Sequence, residues 1–172
     1  MLQGENIFLR NIQSSDIDTL VQLWGNLDAR GEFFPLTILN ETIIKQRFSE
    51  NGFWGEAGGH MLILDQHEDI QGAIFFFKPN AFVAYLEVGY ILFHPNNRGK
   101  GYVSEALALF SRLLFETKQV SKILLNIDPK NIGSQKVAEK NGFVLEGRDQ
   151  QAMYRNGAYH DLDRYILLRE PV

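Results

Sequence analysis

The chain contains no cysteine. That excludes a disulfide framework, a thiolate metal site and a cysteine nucleophile, and it suits a reducing compartment. No apolar run approaches the roughly 18 residues of a membrane span. The longest, Ala73 to Phe77, has the length of a strand. Positive charge is not in excess: 17 Lys and Arg stand against 21 Asp and Glu, a net charge of −4. That argues against sequence-independent nucleic-acid binding, which needs a broad basic face, but does not exclude a small cationic pocket for a phosphorylated group. The histidines, at positions 60, 67, 94 and 160, lack metal-ligand spacing and read as structural or surface residues. The opening Met-Leu-Gln-Gly-Glu-Asn is polar and holds no signal-peptide core. These absences lead us to expect a cytoplasmic protein with no bound metal, nucleic acid or membrane.

What is present fits one folded domain over residues 1–172, with 45% hydrophobic and 22% charged residues. Ile7 and Leu9 mark a short strand over Asn6 to Arg10. Ile17, Leu20, Val21 and Trp24 then recur at helical spacing behind the cap candidates Ser14, Ser15 and Asp16. An irregular segment over Gly25 to Leu39 follows, with Phe33-Phe34-Pro35 inside it, and Asn40 caps a second helix. Four glycines make Asn51 to Gly59 a loop. Strands are expected at Met61 to Leu64, Ile70 to Phe77 and Val83 to Phe93. In the last of these Tyr85, Glu87, Gly89 and Ile91 share one face, and Leu86, Val88, Tyr90 and Leu92 the other. Gly99 to Phe115 reads as an amphipathic helix with Val103, Ala106, Leu107, Phe110, Leu113 and Leu114 as its stripe. A strand over Lys122 to Ile127, a helix over Asn131 to Lys140 and a hairpin of Val144 to Met153 with Tyr159 to Leu168 complete the order βααβββαβαββ. The strand–helix–strand unit around Gly99 implies a parallel pair in an otherwise antiparallel sheet.

The most informative stretch runs from Tyr90 to Leu107, a strand, a glycine turn and a helix. Gly99 and Gly101 let backbone amides come close to a ligand. Those amides open a helix, where unpaired N–H groups and the dipole favour anions, and Arg98 and Lys100 add positive charge. The spacing fits neither a P-loop nor a dinucleotide fingerprint, since Ser104 stands where the third glycine would be. From the glycines alone, a plain strand-to-helix turn fits as well as a phosphate cradle.

Asn97-Arg98-Gly99-Lys100-Gly101-Tyr102 resembles the acyl-CoA loop of the GCN5-related N-acetyltransferases, the GNAT family, written Gln/Arg-x-x-Gly-x-Gly/Ala. The first motif position is Asn96 here, a departure. Leu86-Glu-Val-Gly-Tyr90, Asp128-Pro-Lys-Asn-Ile-Gly-Ser134, Lys140-Asn-Gly-Phe143 and Tyr154-Arg-Asn-Gly-Ala-Tyr-His-Asp161 are similar too, and together look most like the RimJ/RimL-like branch that acetylates ribosomal-protein N-termini. The resemblance implies a mixed α/β GNAT fold, mostly antiparallel, with a splayed parallel pair and helices on both faces. It implies acetyl-CoA as cofactor, its pyrophosphate on the amides from Arg98 to Tyr102 and its pantetheine arm in the splay beside Asn131. A backbone N–H near Tyr90 or Ile91 would receive the thioester oxygen. Glu87, 12 residues before Gly99, is the implied base for the acceptor amine, directly or through water.

The tyrosine that many members place on the last helix is Ala138 here, and Ser134 is the implied hydrogen-bond donor to the sulfur. Tyr154 and Tyr159 are weaker candidates for that part. With no cysteine, direct transfer in a ternary complex is favoured. Phe33, Phe34 and Trp54, aromatics in loops, are the acceptor-binding candidates, with packing at the core edge as their plainer use. The acceptor is expected to be a protein or peptide N-terminal amine. A polyamine, amino acid or antibiotic acetyltransferase and a non-catalytic acyl-CoA sensor remain the alternatives. Similar proteins also form homodimers, for which the sequence shows no interface.

Overall fold

The computed structural model describes residues 1–26, 31–34 and 40–170. Its strands are β1 (Leu2–Gln3), β2 (Phe8–Asn11), β3 (Gly58–Leu64), β4 (Ile70–Phe77), β5 (Tyr85–Leu92), β6 (Lys122–Ile127), β7 (Val144–Arg155) and β8 (Ala158–Leu168). Its helices are α1 (Ile17–Gly25), α2 (Glu41–Asn51), α3 (Tyr102–Thr117) and α4 (Ile132–Lys140). All the strands join one sheet in the order β1-β2-β3-β4-β5-β6-β8-β7. Among the described residues β5 and β6 form its parallel pair. Strands β2 to β5 form an antiparallel meander, and β6, β8 and β7 extend the sheet antiparallel on the far side.

Helices cover both faces, as expected. The stripe of α3 places Leu107, Phe110 and Leu114, each 0% exposed, against Ile74, Phe76, Leu86 and Val88. Burying a side chain of that size stabilises the fold by about 1.5–3 kcal/mol. Ala138 of α4 belongs to the same layer. On the opposite face Leu20 and Trp24 of α1 and Ile44 of α2 pack on Leu62, Ala73 and Ile91. The alternation expected along β5 is thus observed, with Leu86 and Val88 toward α3 and Ile91 toward α1. Asn40 caps α2 by accepting from the Ile43 N–H at 2.9 Å.

Several boundaries differ from the sequence pattern, by one or two residues in β5, α4, β7 and β8 and as follows elsewhere. A two-residue β1 pairs with β2, which begins at Phe8 instead of Asn6. Helix α1 continues a short 3₁₀ turn over Ser14–Asp16, so the helix itself starts at Ile17. Gly58 and Gly59, expected in a loop, belong to β3. A Cβ at Gly59 would lie 2.7 Å from both the Phe76 and Trp54 rings, so glycine there reflects a ring lying on the strand. Helix α3 begins at Tyr102 and not at Gly99, because φ is +79° at Gly99 and +86° at Gly101. Of the irregular segment expected over 25–39, Gly25 ends α1, and Pro35 lies outside the described residues.

Candidate active site

Strands β5 and β6 pair only over Tyr85–Glu87 and Lys122–Leu124. Beyond Glu87 the two part. β5 stays with β4 up to the Gly72–Leu92 rung, while Leu125, Asn126 and Ile127 of β6 pair with β8. The result is a fork whose inner edges carry backbone groups with no strand between them. Phe93 N–H donates to the Gln71 carbonyl on β4 at 2.9 Å. Backbone groups alternate sides along a strand, so the Ile91 N–H also faces β4 and the Tyr90 N–H faces the fork. The Ile91 carbonyl, packed against Gly72, agrees. Of the two donors expected for the thioester, the geometry therefore leaves Tyr90. Ile91 has its side chain in the α1 core and its amide toward β4.

The outer end of β5 runs through a 3₁₀ turn at Pro95–Asn97 into the glycine loop. Here too one expectation changes, since the Arg98 N–H is bonded to the Pro95 carbonyl at 3.1 Å and is not free for a ligand. The exposed Arg98 guanidinium lies over Gly31. The N–H groups from Gly99 to Ser104 make no backbone hydrogen bond among the described residues, and the first helical bond of α3 is Glu105 N–H to the Gly101 carbonyl. A Cβ at Gly99 or Gly101 would meet nothing within 4 Å. The protein leaves that space open, and positive φ aims the amides into it. Such a cradle suits a pyrophosphate.

Glu87 points from the last paired rung toward the face of α1 and α2. Burial pushes its carboxyl above the ordinary range, opposed by the nearby Asn126 side chain and the charge of Arg164. Two residues along, Gly89 is floored by the Phe75 ring, 2.5 Å from where a Cβ would be. On the other side of β5, the Tyr90 hydroxyl is buried without a close hydrogen bond, and Ser134 is the polar side chain set against it. Burial raises the Tyr90 pKa, which keeps the proton on its oxygen. Asn131 caps α4, its Oδ1 accepting from the Ser134 N–H at 3.1 Å.

The segment 31–34 lies over the Glu87 face. Phe34 meets Phe75 edge-on with ring centroids 6.4 Å apart. Phe33 lies against Arg155, whose guanidinium is 5.5 Å from the ring and donates to the Phe33 carbonyl at 3.3 Å. Trp54, grouped with them from sequence, is elsewhere. It packs edge-on against Phe76 and Phe110 in the α3 layer, on the opposite face of the sheet from Glu87. Consecutive aromatics diverge here because Phe53 enters the α1 layer, which sends Trp54 to the other.

A family model described as an acetyltransferase (GNAT) domain matches residues 6–144. The chain belongs to the GNAT family. Its fold agrees with that assignment, a mostly antiparallel sheet with one parallel pair among the described residues and helices on both faces. It is 29% identical over 105 residues to the ribosomal-protein-serine acetyltransferase of Escherichia coli (strain K12), covering 61% of this chain and 58% of that protein. The chain thus spans less than two thirds of that relative. It is 29% identical over 176 residues to the SPbeta prophage-derived uncharacterized N-acetyltransferase YokL of Bacillus subtilis, covering 97% and 92%. Among solved structures, spermidine N-acetyltransferase from Vibrio cholerae in complex with CoA and spermine superposes with a TM-score of 0.81 at 20% identity, covering 94% and 95%. Ribosomal-protein-S5-alanine acetyltransferase from Vibrio fischeri does so with 0.81 at 22%, covering 97% and 95%.

The partnerships of several groups in this GNAT site gave no sequence signal. Arg155 and Asp128 form an ion pair at 2.8 Å with both side chains 4% exposed. His160 Nδ1 is 3.6 Å from the same carboxylate. The pair joins the β7–β8 hairpin to the strand end of β6 and, through Phe33, to the segment over Glu87. Burial alone would raise the Asp128 pKa, but the Lys130 N–H and Arg155 outweigh it and hold it low. Asn126 and Arg164, the two modulators of Glu87, were equally silent. Asp128 opens the Asp128–Ser134 motif, and Arg155 and His160 lie in the Tyr154–Asp161 motif, which marks the tip of this hairpin.

Proposed function

We propose that the protein transfers an acetyl group from acetyl-CoA directly to the α-amine of a protein or peptide N-terminus, in a ternary complex. The observation that carries this reading is Glu87, a half-buried carboxylate at the mouth of the fork with Asn126 and the charge of Arg164 near it. When bound, acetyl-CoA supplies an acetyl group activated as a thioester. The amides from Gly99 to Tyr102, with Lys100 and Arg98 nearby, would hold its phosphates, and Asn131 would contact its pantetheine arm. Glu87 takes the proton that the amine loses as its nitrogen attacks, directly or through one water. The Tyr90 N–H stabilises charge building on the carbonyl oxygen. Tyr90 and Ser134 would be placed to donate hydrogen bonds to the cofactor's sulfur, which would leave as the thiolate. The proton would stay on Tyr90, because the thiolate of a thiol with pKa near 8.5 is a weaker base than a tyrosinate whose pKa burial raises from its ordinary 10.

An α-amine suits a carboxylate base. With a pKa near 8, about a quarter of it is neutral at pH 7.5, against about one in a thousand for a lysine-like amine near 10.4. A polyamine brings further ammonium groups that need carboxylates. Asp128 is already paired with Arg155, and Glu146 and Asp149 lie beside Arg164. Phe33 and Phe34 can then grip the peptide that follows the amine. The test is a competition of lysine-free peptides with spermidine at equal concentration, read by mass spectrometry. Acetylation at peptide N-termini supports the reading, and acetylation of spermidine alone overturns it.

A further inference from the structure

A chain of side chains crosses from the β3–β4 turn to the cofactor loop and ends on Lys100. Gln71, at the start of β4, is 5% exposed. Its Nε2 donates to Asp65 Oδ2 at 2.7 Å, and its Oε1 accepts from Asn97 Nδ2. Asn97 Oδ1 in turn accepts from Lys100 Nζ at 2.5 Å. The direction of every bond is forced from the ends. A carboxylate only accepts and an ammonium only donates, so Gln71 must turn its nitrogen to Asp65 and its oxygen to Asn97. Asn97 must then present nitrogen to Gln71 and oxygen to Lys100. Asp65 cannot swing away, because its other oxygen accepts from the His67 and Asp69 N–H groups at 2.9 and 3.1 Å.

We propose that Gln71 is the positioning residue of the cofactor loop, and that the Asp65–Gln71–Asn97–Lys100 relay fixes the Lys100 ammonium beside the amides that hold the cofactor's pyrophosphate. The proposal rests on the assignment of the Gly99–Gly101 loop as the phosphate cradle. Gln71 touches no ligand. It works from beneath the loop, where its own carbonyl also accepts from the Phe93 N–H and pins the exit of β5. A long, flexible lysine loses rotamer freedom when it binds a phosphate, and a relay that restrains it beforehand removes part of that cost.

The test is steady-state kinetics and acetyl-CoA titration on wild type, Gln71→Met, Asn97→Ala, Lys100→Ala and the Gln71→Met/Lys100→Ala double variant, with melting temperatures. Gln71→Met and Asn97→Ala each raise KM for acetyl-CoA about tenfold, the effect of losing one charge-assisted hydrogen bond. Both leave kcat and the acceptor KM within about twofold. The double variant binds no more weakly than Lys100→Ala alone, because both changes act through one ammonium. Additive losses in the double variant, or an unchanged cofactor KM in both single variants, overturn the relay. Asn97→Ala keeps the test sharp if Gln71→Met folds poorly. Gly101→Val, run alongside, separates the two claims: if it binds acetyl-CoA as wild type does, the cradle itself is wrong.

Discussion

Glu87 of β5 stands opposite Leu124 of β6 at the last rung the two strands share. One step further, Leu125 pairs with Tyr165 of β8, and Val88 pairs with Phe76 of β4. The sheet opens because each strand keeps its outer partner and gives up the inner one. That opening sets the Glu87 carboxyl on one face of the sheet and the Tyr90 hydroxyl on the other, with the Tyr90 N–H between them.

The pH–rate profile reports Glu87. Burial raises its pKa, so the acid limb of kcat/KM falls above the ordinary carboxylate range near 4.3. Arg164→Gln removes a charge that favours the carboxylate and moves that limb further upward. A profile unchanged by Arg164→Gln would separate the limb from Glu87.

Gly99 and Gly101 hold φ values that cost other residues about 1–2 kcal/mol each. Valine at either position also fills the open space above the amides. Titration with acetyl-CoA is expected to show affinity lowered more than tenfold, with the melting temperature reduced by a few degrees.

Tyr90→Phe removes a buried hydroxyl that makes no close hydrogen bond. Losing an unsatisfied polar group leaves the fold as stable as wild type or more so. Turnover, in contrast, falls several-fold, and Ser134→Ala does the same. A melting temperature that drops sharply in Tyr90→Phe would mean the hydroxyl serves packing and not chemistry.

His60 stacks on Phe75 and meets Trp24 and Phe53 edge-on. Burial, aided by the Arg47 charge, lowers its pKa to about 4. The unfolded chain protonates this histidine near 6.5 and the folded protein does not, so stability is complete above pH 6.5 and is lost as pH falls toward about 4. The melting temperature of His60→Phe declines less over that window than that of wild type.

Much of this site was legible in advance. Strand β4 and strand β6 have the predicted bounds because dense apolar runs between turn residues leave one outcome. The loop glycines were visible because phosphate cradles need residues without side chains, and the resemblance singled out Glu87. Trp54 was misjudged because aromatic rings beside glycines look alike whichever face they enter. Ile91 was misjudged because sequence alternation assigns side chains to faces but not amides to neighbours. Gln71 and Asn126 gave no signal, since a polar residue in an apolar strand shows its purpose only when its partner, far off in sequence, is beside it.

The most direct measurement is acetyl transfer to a peptide N-terminus by wild type and Glu87→Gln, with acetyl-CoA affinity determined on the same preparations. The account predicts equal, one-to-one cofactor binding and a turnover about a hundredfold or more lower in the variant. Equal turnover with equal binding would contradict the assignment of Glu87 as the group that receives the amine's proton.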